Sequence, residues 1–78
     1  MNPIEKIRKE NGLTRDEMSL VLGVPYSTLA VIENGNYKNP KKVVEKMAII
    51  FEEDEEKLLE QYNHCRQEKR EKLMKKIK

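Results

Sequence analysis

Between Thr14 and Asn34 the chain writes two short helical runs with only Gly23-Val24-Pro25 between them, and that spacing restricts the fold more than any other feature. Thr14, with Glu17 three residues on, is an S/T-x-x-E capping box that opens a run burying Met18 and Leu22. Gly23 closes it, because a tight helix-to-helix turn needs a residue that accepts positive φ. The next run begins near Pro25 or Tyr26 and ends at Asn34-Gly35. Ser19 supplies the small side chain that such a crossing requires, and Val24, Leu29 and Ile32 plug the turn and the second helix onto a core.

The flanking segments read as helices too. Asn2 is an N-cap, Pro3 a first helical residue and Glu5 is placed to complete a box; Ile4, Ile7 and Arg8 follow, and Gly12 stops the run. After a polar loop at Asn34–Asn39, Asn39-Pro40 restarts the chain as N-cap and first helical residue. That helix packs Val43 or Val44, Met47, Ala48 and Phe51. An acidic turn at Glu52–Asp54 leads to a last helix with an apolar stripe at Leu58, Tyr62 and Cys65. The stripe breaks at Lys69 and resumes only at Leu73, Met74 and Ile77, so residues 68–78 are expected as an exposed helix or a frayed tail. Period-2 alternation is absent, so an all-α fold of five helices is predicted. With 78 residues there is room for one domain, burying only about 60% of its unfolded surface.

Helical spacing shows which flank of the third helix stays free. At about 100° per residue, Leu29 and Ile32 lie close together and point inward. Ser27, Ala30, Val31 and Asn34 gather on the opposite side, with Tyr26 beside them in the first turn. Two short helices on a three-residue turn, with one flank of the second left bare, is the geometry of a helix-turn-helix that inserts into the DNA major groove. Ala30 and Val31 cannot donate hydrogen bonds but can press on thymine methyls, and the Tyr26 hydroxyl can reach a phosphate or a base edge.

The strings Leu13-Thr14-Arg15-Asp16-Glu17-Met18, Leu22-Gly23-Val24, Ser27-Thr28-Leu29 and Ile32-Glu33-Asn34-Gly35 together resemble the phage repressor/Cro (XRE-like) helix-turn-helix family, over about residues 4–59. The resemblance implies a five-helix lambda-repressor-like domain, usually a homodimer on pseudo-palindromic double-stranded operators. It places Tyr26, Ser27 and Val31 on base edges, joined by Ala30 from the spacing above. It places Arg15 and Asn34 on phosphates and the loop residues Lys38, Asn39 and Lys41 on the DNA backbone; Thr28 and Asn36 are added to that backbone set. Arg8 and Glu33 match an internal ion pair. Arg15 stands where the family usually has glutamine, Pro25 replaces a capping serine or threonine, and Val31 replaces a usually polar reader.

Charge is distributed unevenly. The net of +2 conceals residues 52–60, with six acids and one lysine, and residues 66–78, with seven basic groups and two acids. The basic end has three readings: a solvated helix end complementing the dipole, a dimerising helix through Tyr62, Leu73 and Ile77, or an arm on the DNA backbone. The division expected is a helix-turn-helix domain at residues 1–65, its motif proper at 14–34, and a charged extension at 66–78.

Several functions are excluded or disfavoured. One histidine and one cysteine, His64 and Cys65, cannot make a zinc set. No nucleophile is paired with a base at a recognisable spacing, so no enzyme, cofactor or small-molecule ligand is expected. The start of the chain lacks the apolar stretch of a signal peptide and no run is long enough to span a membrane, so a cytoplasmic location is expected. The predicted function is a sequence-specific transcriptional regulator, a repressor. The alternative is an antitoxin or adaptor on the same fold, using the apolar face of the third helix on a protein.

Overall fold

The computed structural model describes residues 2–77, and its helices are α1 (Pro3–Glu10), α2 (Arg15–Leu22), α3 (Tyr26–Glu33), α4 (Lys41–Ile50) and α5 (Glu55–Lys76). Among the described residues there is no strand, and the all-α expectation holds. None of these helices is long and apolar enough to cross a membrane.

Local chemistry sets most of the ends. Asn2 Oδ1 accepts from the N–H groups of Ile4 and Glu5, with Pro3 at the first helical position. Glu5 does not complete the expected box; its carboxylate pairs with Lys9 at 2.9 Å, and that contact lowers its pKa. At α2 the box is complete. Thr14 Oγ1 accepts from Glu17 N at 3.2 Å, and Glu17 Oε1 accepts from Thr14 N at 2.8 Å. Gly23 adopts φ 68°, and Val24 N donates to the Ser19 carbonyl at 3.0 Å, which folds the chain back toward α3. Lys46 from α4 donates to the Leu22 carbonyl at 3.2 Å, supplying the end of α2 with a cation.

The box makes a measurable pH signature. Hydrogen bonds from Thr14, the backbone one foremost, lower the Glu17 pKa from its ordinary 4.5. A carboxylate whose folded pKa is depressed stabilises the fold above its unfolded pKa and loses that contribution as pH falls through the folded value. The melting-temperature gap between wild type and Glu17→Gln is therefore expected at neutral pH and should close as pH drops below 4.5. A gap that is constant with pH would show that the carboxylate's charge is irrelevant to the cap.

The core is formed by Ile4 and Ile7 of α1, Met18 and Leu22 of α2, Leu29 and Ile32 of α3, Val43, Val44 and Met47 of α4, and Leu58 and Tyr62 of α5. In this arrangement α1 packs on α3 and α5, α2 on α3 and α4, and α4 on α5, so α3 is gripped from behind by α1 and α2.

The start of α4, the depth of its apolar residues and the facing of Tyr62 depart from the expectations. Helix α4 begins at Lys41 with Pro40 as its cap, and no side chain caps it, so Asn39 is not the N-cap. Pro40 itself has α-region dihedrals, and its carbonyl accepts from Val44 N at 2.9 Å. Both valines are buried, whereas Ala48 and Phe51 are only half-buried at the rim. Helix α5 runs unbroken for 22 residues, past the point where its apolar stripe fails, so of the two forms expected for this end the exposed helix is the one found. Tyr62 does not face outward: it is fully buried and its hydroxyl donates to the Ile32 carbonyl at 2.8 Å, so it offers nothing to a partner.

Candidate nucleic-acid interface

Helix α3 shows opposite characters on its two flanks because its apolar residues are spaced to cover only one. Leu29 and Ile32 are completely buried. Tyr26 and Val31 are 48% and 40% exposed, Ser27 and Asn34 are exposed, and Thr28 and Ala30 are half-buried. Among the described residues the outer flank therefore stays open at Tyr26, Ser27, Val31 and Asn34. In the loop that follows, Asn36, Lys38 and Asn39 are exposed, as is Lys41 in the first turn of α4. The residues expected at base edges thus share one open surface, and the loop set adjoins its C-terminal end.

What holds this helix in place is only partly legible in the sequence. The Glu33 side chain is fully buried and sits between two guanidinium groups, Arg8 Nε at 3.0 Å and Arg15 Nε at 3.3 Å. Arg8 also donates through Nη1 to the Leu13 carbonyl at 2.9 Å, so one side chain ties α1, the α1–α2 turn and α3 together. Arg15 is 39% exposed in its side chain. Its pKa is raised, first by a hydrogen bond with the Tyr26 hydroxyl and then by Glu33. The residue expected on phosphate is therefore tied from the start of α2 to Glu33 at the end of α3, with part of its side chain still facing solvent.

The last carbonyls of α3, which have no partner within the helix, are met by side chains from distant parts of the chain. Asn2 Nδ2 donates to the Ile32 carbonyl at 3.0 Å, and the Tyr62 hydroxyl donates to the same oxygen. Lys69 Nζ donates to the Asn34 carbonyl at 2.6 Å and to Asn36 Oδ1 at 3.2 Å. Nothing in the sequence marks Asn2, Tyr62 and Lys69 as parts of the site. The apolar stripe does point to a buried Tyr62, but nothing local in the sequence names its acceptor.

No group of three or more His, Cys, Asp or Glu side chains able to hold a metal ion occurs among the described residues. The His64 imidazole meets Glu68 at 2.6 Å on the exposed side of α5.

A short capped helix, a three-residue turn and a second helix held by its inner flank with its outer flank bare define a DNA-binding helix-turn-helix. A family model described as a helix-turn-helix domain matches residues 2–64. The chain belongs to that family of XRE/Cro-like helix-turn-helix domains. No curated protein and no solved structure matches the chain.

Proposed function

We propose that this protein is a sequence-specific repressor that binds operator DNA as a homodimer in the cytoplasm. The observation that carries this reading is the uncovered outer flank of α3, bearing Tyr26, Ser27 and Val31. In it, Tyr26, Ser27, Ala30 and Val31 meet base edges in the major groove, while Arg15, Thr28, Asn34, Asn36, Lys38, Asn39 and Lys41 meet the sugar-phosphate backbone. Arg15, held by Glu33 and beside Tyr26, turns its exposed edge to a phosphate without losing its anchor. Ile49 and Ile50, exposed at the end of α4, give a dimer apolar surface to cover. Two copies place their α3 helices on half-sites about 34 Å apart, one helical turn of the duplex.

Selection of bound sequences from random DNA tests the reading. Enriched half-sites with two-fold symmetry are expected, and affinity for them should fall steeply between about 50 and 200 mM salt as counterions are released. The exposed Tyr26 and Val31 favour one competing reading, a protein-interaction module that uses the same flank. An apolar protein interface would show little salt dependence, so the titration separates the two. Failure to enrich any sequence, together with salt-insensitive capture of a protein, would replace the proposal with its rival.

A further inference from the structure

The second half of α5 carries a feature that the helix-turn-helix itself does not use. Beyond Lys69 the helix leaves the globule, and residues 70–77 are exposed. Taking the buried Tyr62 as the direction of the core, Arg66, Lys69, Arg70, Lys72 and Lys76 all fall within about 80° of it at 100° per residue. Glu68, Glu71 and Lys75 fall on the other side. The core-facing side of α5 thus continues past the core as a face of cations interrupted only by Leu73 and Ile77. Among the described residues none of these five cations has a carboxylate within 4.0 Å, although Glu68 and Glu71 are close in sequence. The opposite end of α5 is the acidic run at 52–56, so the helix is polarised along its length.

The basic face is placed beside the proposed interface. Lys69 bonds the Asn34 carbonyl and the Asn36 side chain. A side chain added at Gly35 would meet Arg66 Cγ at 3.9 Å and Lys69 Cδ at 4.0 Å, so α5 lies directly along the end of α3. From Lys69 to Lys76 the helix then extends about 10 Å further.

We infer that this face of α5 is a second part of the DNA-binding surface, neutralising backbone phosphates beyond those met by the helix-turn-helix. This rests on the proposed DNA-binding function and extends it to residues 66–76. A second copy of the chain is a poor occupant for the same face: two-fold pairing about the middle of the basic face sets each row of cations against its own copy, and reaching the other copy's acidic run at 52–56 would need overlap along the stretch of α5 whose same side is buried at Leu58 and Tyr62. A phosphate backbone has the complementary charge. A cap for α3 requires Lys69 alone and leaves Arg70, Lys72 and Lys76 unexplained.

The test compares the unsubstituted 78-residue chain with Arg70→Gln/Lys76→Gln and with Lys75→Gln, a control on the opposite side. All three substituted positions are exposed, and thermal melts would verify that folding is unchanged. Binding to a fluorescent mixed-sequence duplex is titrated over about 50 to 200 mM salt, with sedimentation run in parallel. At about 0.9 per phosphate neutralised, the slope of log affinity against log salt should shrink by about 2 for the double variant and stay unchanged for Lys75→Gln. An unchanged slope in the double variant, with wild type binding normally, overturns this inference alone. An unchanged slope with altered self-association overturns it in favour of a dimer contact. A wild type that binds no duplex overturns the proposed function as well.

Discussion

Replacing Glu33 with alanine is expected to destabilise the protein by about 3–5 kcal/mol and to leave much of it unfolded at physiological temperature. A chain this short has roughly 4–12 kcal/mol of stability in total, at 0.05–0.15 kcal/mol per residue, so one such loss consumes much of it. The size follows from what is left behind. The Glu33 side chain is fully buried and that of Arg8 is 11% exposed, so removing the carboxylate strands a guanidinium in the interior. Arg8 also holds the Leu13 carbonyl and cannot swing out to water without giving up that bond. The Arg15 contact is weaker, because that side chain is 39% exposed and solvent screens it, so Arg15→Ala should cost clearly less than Glu33→Ala. Glu33→Gln, which retains an oxygen for Arg8 Nε, should fall between the two. Urea denaturation of the three variants measures all of this. A Glu33→Ala loss below that of Arg15→Ala would mean that the buried pair contributes nothing to the fold.

The same residues show where sequence reading reaches and where it stops. Asn2, Thr14 and Gly23 mark helix ends because a cap is a contact between near neighbours, and the first three helices are legible from them. The period of Leu29 and Ile32 likewise shows which flank of α3 turns inward. Contacts across the chain are not written locally: Asn2 and Tyr62 each reach an oxygen 30 residues away, and Lys69 reaches one 35 residues away. Glu33 offers one legible partner by resemblance, Arg8; the second, Arg15, becomes visible only when α2 and α3 are packed. Helix α5 illustrates a different limit. An apolar stripe reports burial, not helicity, so its failure at Lys69 marks where the helix leaves the core and not where it ends. Asn39-Pro40 misplaces the start of α4 by one residue, because Pro40, with its fixed φ, serves as the cap itself.

Val31→Glu should weaken specific DNA binding by at least about 100-fold, about 2.7 kcal/mol, while shifting stability by no more than about 0.5 kcal/mol. Val31 is 40% exposed and takes no part in the core, so its replacement creates neither a cavity nor a buried charge. In the groove the same change sets a carboxylate among base edges and phosphates, adds repulsion and removes an apolar contact. A double-substitution cycle isolates that contact. On a selected half-site, exchanging thymine for uracil deletes one methyl, and the burial lost is about 0.8 kcal/mol, about fourfold in affinity. Val31→Ala should cost a similar amount on the thymine duplex, yet little on the uracil duplex, because the methyl it would touch is already gone. Fully additive losses would show that Val31 and the methyl do not meet, and would move base reading to Tyr26 and Ser27. A Val31→Glu variant that binds its operator as well as wild type does would remove the outer flank of α3 from the DNA interface altogether.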